Sequence, residues 1–302
     1  NDPLFFRQWS LHNEGEYINA PVDSPSCAGH CFYKPPGASC YCTSYCPGEE
    51  NCCADACAAC GNCAGNADVD VDAPAAWDLT TDASNSGVVA VVDTSFFYVH
   101  EDLWANIWQN SAEYYGATGV DDDGNGYIDD RFGWNGSQNN AFIPTTGDHG
   151  TMVAGVVGAV GNNGLGVTGI AWRTRMMLLI RGWGTSYTSG TLAAYDYVMT
   201  QKERWMADQN QGANVTVTVN SFGTSGYCNS SEFQAWNDVF DEMGSLGILS
   251  VGAAPNLNSS NQYKLNVDIY GDIPTSCTSP HLITVTNLND EDKVYLAGYG
   301  LG

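Results

Sequence analysis

Cations are scarce in this sequence: 10 Lys and Arg stand against 34 Asp and Glu, a formal charge of −24. Such a field repels nucleic acid and anionic lipid headgroups while drawing divalent cations, so nucleic-acid binding is disfavoured. No run of about eighteen apolar residues occurs, and no membrane-spanning helix is expected. The first residues, Asn1-Asp2-Pro3-Leu4, carry no signal peptide, and the chain is expected to start as a processed protein does. Apolar residues make up 43% of the 302, enough to bury the core of one large domain or two ordinary ones.

Cysteine is thin over most of the chain and crowded in one part of it. Ten of the 12 lie between Cys27 and Cys63, and the other two are Cys228 and Cys277. A reducing cytosol rarely keeps such a density as a framework, so an extracellular or cell-surface setting is expected. The sequons at Asn135, Asn214, Asn229 and Asn258 agree with a eukaryotic secretory route. Residues 1–26 read as an irregular arm anchored by Trp9 and Leu11. Residues 27–66 form a cysteine-rich insert whose Gly, Pro, Ala and Ser offer little to pack, so disulfides of about 2–4 kcal/mol each must staple it. The spacing Cys57-x-x-Cys60-x-x-Cys63 also suits zinc, but no matching histidine pair accompanies it, which favours the staple.

Residues 67–302 change character. Gly87–Asp93 is a continuous apolar run ending in a carboxylate, as a fully buried parallel strand would be. The stretches 176–180, 215–219, 248–251 and 282–286 repeat the theme. Between them, Leu192, Tyr195, Val198, Met199, Trp205 and Met206 fall on one helical face. Phe233, Trp236, Val239, Phe240 and Met243 do the same after a Ser231-x-x-Gln234 capping box. Strands alternating with amphipathic helices predict an α/β fold of three layers, a mostly parallel sheet with helices on both faces. Active sites of such sheets lie at the carboxyl ends of the strands.

Asp93 ends the first of those strands, where a carboxylate needs a hydrogen-bond donor facing it. His149, in Asp148-His149-Gly150-Thr151-Met152-Val153-Ala154-Gly155, precedes small residues that permit a tightly packed helix starting at the histidine. An imidazole held by Asp93 would be fixed in one tautomer and could take a proton from a hydroxyl nucleophile. Further along, Asp121-Asp122-Asp123-Gly124-Asn125-Gly126-Tyr127-Ile128-Asp129-Asp130 packs five carboxylates into ten residues. Asp121, Asp123 and Asn125 have the first, third and fifth spacing of a calcium loop, followed by the Tyr127 carbonyl, Asp129 and Asp130. Phe132 stands where an EF-hand has its last glutamate.

These motifs resemble the subtilisin-like serine protease family, whose triad runs in the order Asp, His, Ser. Val91-Val92-Asp93-Thr94-Ser95 is similar to the aspartate motif, with Ser95 where glycine is usual. His149-Gly150-Thr151-Met152 is similar to the histidine motif, with Met152 where a second histidine is common. Asn220-Ser221-Phe222-Gly223 resembles the strand whose Ser221, Phe222 and Gly223 pair with substrate backbone. Ala253-Ala254-Pro255-Asn256 resembles the oxyanion segment, with Pro255 replacing a glycine and Asn256 as donor. The resemblance implies a subtilisin-like peptidase with calcium as cofactor and a polypeptide as substrate. It also implies a second cation site from Asp102, Asn162 and the carbonyls of Val160, Leu165 and Val167. Cys228 and Cys277 flank the oxyanion region, where a disulfide between them would brace the oxyanion and specificity loops, with two free buried thiols as the alternative. The Gly-Thr-Ser-Met-Ala motif that carries the nucleophile is not among these residues, so the serine is expected past Gly302, in a C-terminal remainder. The alternative is a non-catalytic subtilisin-like glycoprotein serving a surface or filament with an assembly partner. A calcium-buffering scaffold is a third reading, of lower rank because the acidic loop is one site within a larger fold.

Overall fold

The computed structural model describes residues 71, 73–182, 187–256 and 266–288. The chain divides into two compact units, Asn1–Pro74 with Leu288–Lys293, and Ala75–Asn287 with Val294–Gly302. Nearly all described residues belong to the second unit, and the elements below are its own, save the first two residues of the opening helix. The expected arm (1–26), the cysteine-rich insert (27–66) and the Asn258 sequon lie outside the described residues.

The elements, in order, are α1 (Ala73–Trp77), β1 (Val88–Asp93), α2 (Ser111–Tyr115), β2 (Gly133–Asn135), α3 (His149–Gly158) and β3 (Met176–Ile180). They continue with α4 (Tyr187–Ala207), β4 (Val215–Asn220), α5 (Gln234–Ser245), β5 (Leu249–Ala253), α6 (Val267–Tyr270) and β6 (Leu282–Val285). The six strands form one sheet in the order β2-β3-β1-β4-β5-β6, and every pairing is parallel. β1 lies inside, between β3 and β4, which is why its sequence is apolar at nearly every position rather than at alternate ones.

Strand alternation sends neighbouring residues of β1 into two separate cores. Ala90 and Val92 join Met177, Leu179, Tyr195, Val198, Trp236 and Phe240 under α4 and α5. Val91 joins Met176, Leu178, Ile180, Phe96 and Ala154 on the α3 side. The result is helix, sheet, helix, the three-layer arrangement expected. Asp93 shares the parity of Val91, so the strand delivers its carboxylate to the face covered by α3.

Several local expectations meet a different outcome. Trp236, Val239, Phe240 and Met243 are buried, but Ser231 is not the cap of their helix. α5 begins at Gln234 after Phe233, with no side-chain cap bond, and the Gln234 amide donates instead to Asp238 one turn on. The 21-residue α4 carries the expected apolar stripe, but Met206, the last residue of that stripe, is exposed near the helix end. β2 is three residues long, too short for a periodic signal. Asn135 lies in it, buried, its amide donating to the Phe142 carbonyl, a position that no glycan reaches.

Candidate active site

Three features place Asp93 against His149. β1 ends at Asp93 on the carboxyl edge of the sheet, α3 starts at His149, and Gly150 lets the two approach. A methyl group on Gly150 would strike the Ser95 carbonyl oxygen and come within 2.8 Å of Asp93 Cβ. The Thr151 hydroxyl accepts the Phe97 amide at 2.9 Å, pinning the first turn of α3 to the chain after β1.

His149 Nδ1 and Asp93 Oδ2 are 2.7 Å apart. Asp93 is 1% exposed, and its other oxygen accepts from the Thr94 amide at 2.7 Å and the Thr94 hydroxyl at 3.2 Å. A carboxylate so supplied with donors stays an acceptor, which fixes the proton of neutral His149 on Nδ1 and leaves Nε2 with a lone pair. The side chain of His149 is 55% exposed, so the basic nitrogen is reachable. The Asp93 hydrogen bond raises the His149 pKa above its ordinary value, against an opposing effect of burial and with added attraction from the Asp93 charge. A cleft lined by Thr94, Asn135, Ser137, Gln138, Pro144, Ile180 and Arg181 opens beside the pair.

The other expected site residues lie on the same edge. Val92 pairs with Asn220 and Asn220 with Gly252, so Ser221–Gly223 and Ala253–Asn256 leave the sheet next to Asp93. Phe222 is buried beneath the Arg181 guanidinium, 4.8 Å from its ring centre, and Gly223 and Asn256 are exposed. The Cys228–Cys277 disulfide is formed, with Cα atoms 4.8 Å apart.

The acidic loop is arranged differently from its sequence spacing. Asp121 and Asp123 converge, and the third carboxylate beside them is Glu113 of α2, with one oxygen of each within 4.8 Å of the others. Glu113 is buried and accepts the amides of Asp122 and Asp123 on Oε1 and of Asp129 on Oε2. Asp129 turns to Arg131 and the Gly119 amide. Asp130, fully buried, is met by the side chains of Asn110, Asn125, Tyr197 and Gln201; burial nonetheless pushes its carboxyl up to about 7. The Asn125 side-chain oxygen accepts the Tyr127 amide. An all-oxygen trio of carboxylates fits a hard divalent cation, whose charge would relieve their mutual repulsion. Glu113 escapes a search by loop spacing; its one signal is an acid in a short helix eight residues before the loop.

At the second expected site, Asp102 accepts the Val167 amide at 2.8 Å and the side chain of Asn163 at 2.7 Å. The Val160 amide binds the Asp102 carbonyl. Asp102 therefore organises loop 160–167 through hydrogen bonds from these donors.

The family model described as the Subtilase family matches residues 84–297. Subtilisin-like protease 1 of Plasmodium vivax is 40% identical over 90 residues, 30% of this chain and 14% of that protein. Its Plasmodium berghei counterpart is 36% identical over 106 residues, 33% of this chain and 17% of that one. The chain thus spans less than a fifth of the length of these relatives. Among solved structures, a protease of Pseudoalteromonas arctica superposes with a TM-score of 0.48 at 25% identity, over 76% of this chain and 64% of that one. With its family model matched over well more than half its length, the chain belongs to the subtilase family.

Proposed function

We propose that this chain supplies most of the catalytic centre of a secreted, calcium-dependent serine endopeptidase whose nucleophilic serine lies outside these 302 residues. The observation that carries the reading is the 2.7 Å contact between Asp93, buried at the end of a central strand, and a His149 ring open on its other side. His149 Nε2 takes the serine proton as the hydroxyl oxygen attacks the peptide carbonyl, then returns it to the leaving amine. Asp93 holds the tautomer and stabilises the imidazolium that forms between these steps. A polypeptide pairs its backbone with Ser221–Gly223, and the Asn256 amide donates to the oxyanion. Glu113, Asp121 and Asp123 hold calcium, which braces their loop and takes no part in bond breaking.

The sheet itself presents a face that would receive a covering segment. Val91, Val219, Val251 and Ile283 are in register on the face that bears Asp93, and on the same face Leu249, Ile283 and Val285 are exposed. A segment carrying the serine would cover this apolar row next to His149. Secretion is supported by the formed disulfide and the cysteine crowding. Treating the native protein with a serine-directed fluorophosphonate and mapping the labelled peptide tests the reading. A label on chain contiguous or associated with these residues is expected. Folded, calcium-replete protein that takes no label would return the chain to a non-catalytic, assembly-type glycoprotein.

A further inference from the structure

One buried carboxylate has no part in the chemistry above. Asp272 is 4% exposed, and its donors come from a single neighbour: the Thr275 hydroxyl at 2.5 Å and the Thr275 amide. Among the described residues no cationic side chain pairs with it. Burial outweighs those two donors and lifts its carboxyl to about 6, the behaviour of an anion short of a counter-charge.

Its place in the fold gives that shortage a use. Thr224 and Ile273 exchange backbone hydrogen bonds of 2.9 and 2.7 Å, and the Cys228–Cys277 disulfide ties the same two segments further on. A methyl group on Gly223 would lie 2.7 Å from Asp272 Oδ1, while one on Gly252 would meet Thr275 and Pro274 at 3.2 and 3.3 Å. Residues 272–275 therefore pack against both the chain leaving β4 and the end of β5. A peptide laid along Ser221–Gly223 would bring a side chain towards these residues, and exposed Gly223 has no side chain of its own between solvent and the carboxylate.

On the endopeptidase reading, we propose that Asp272 determines specificity by receiving the ammonium or guanidinium of a lysine or arginine on the acyl side of the scissile bond. A cation brought there replaces the missing counter-charge, and a neutral side chain leaves a buried anion unpaired. Arginine adds paired N–H donors matched to a carboxylate.

Fluorogenic peptides that differ only at this residue, carrying arginine, lysine, citrulline or leucine, separate charge from size, since citrulline keeps the shape of arginine without its charge. With the full protein that contains this chain and its nucleophile, arginine and lysine are expected to exceed citrulline and leucine in kcat/KM by roughly 30-fold or more. In D272N the arginine-to-citrulline ratio is expected to collapse while fluorophosphonate labelling persists. Equal turnover of arginine and citrulline peptides by labelled wild-type protein, or an undiminished ratio in D272N, overturns the role of Asp272 and leaves the endopeptidase reading standing. Absence of label removes the endopeptidase reading and this inference with it. The wild-type comparison needs no variant, so it decides the matter even where D272N does not fold.

Discussion

His149 divides its work between two nitrogens, and Asp93 decides which does what. The hydrogen bond at Nδ1 favours the protonated ring, so the folded-state pKa is raised. Catalysis needs the neutral ring, hence activity falls as pH drops through that raised pKa. In Asp93→Asn the support is removed, and the acid limb of kcat/KM is expected to move to lower pH while kcat falls by about 10⁴-fold, the order found for the aspartate of this family's triad. A pH–rate profile of the variant reads both; an unmoved limb would show that Asp93 does not set the His149 titration. The pair was legible from sequence because both residues sit at element ends flagged by composition: an apolar run ending in Asp93, small residues following His149. Glu113 was not, because its carboxylate joins Asp121 and Asp123 only once α2 folds back on the loop. Nor was the Asn163 side chain's bond to Asp102 legible, since it follows from the left-handed turn that Asn162 takes at φ 56°.

The strand–helix junction at Gly150 depends on what is absent. Gly150→Ala is expected to lower stability by about 1–3 kcal/mol, the usual range for a methyl group with no room, because the Ser95 carbonyl and the Asp93 Cβ that it would strike cannot both yield. Displacing the start of α3 also lengthens the His149–Asp93 contact, so labelling should slow more than the loss of fold explains. Thermal unfolding beside labelling rate checks this, and an alanine variant equal to wild type in both would refute it. Element identity was largely legible, since buried parallel strands leave continuous apolar runs, as at 176–180. Element ends were less so. A capping box is only an offer of hydrogen bonds, and at α5 the chain starts the helix three residues after Ser231, leaving Gln234 to bond along its own helix.

At the scale of the whole molecule, charge dominates. With a formal charge of −24, the folded chain repels itself, most of all where Glu113, Asp121 and Asp123 converge. Calcium held at this trio would stabilise the native state by mass action, about 2.7 kcal/mol at a concentration a hundredfold above Kd. For a protein of this size that corresponds to roughly 5–10 °C in Tm. Chelation is expected to lower Tm by this order, excess calcium to restore it, and Glu113→Gln to shrink the difference. A calcium-independent Tm in the wild-type protein would remove the ion from this site. The three-layer fold and its carboxyl-edge site were legible as a whole, because β–α alternation and a buried Asp at a strand end constrain topology strongly. The contact of residues 272–275 with Gly223 was not, because two segments build it from opposite sides of a 49-residue separation.

That contact bears on the protein's own survival. An endopeptidase at high local concentration is its own most abundant substrate. On the proposed role of Asp272, a carboxylate that favours a cation beside the scissile bond would direct cleavage to lysine and arginine, and these 302 residues hold only 10 of them. Of these, Lys202 is buried in α4, and the Arg181 guanidinium is stacked on Tyr187 and Phe222. The same acidic bias that would draw in basic substrates leaves these residues with few bonds that such a specificity would cut.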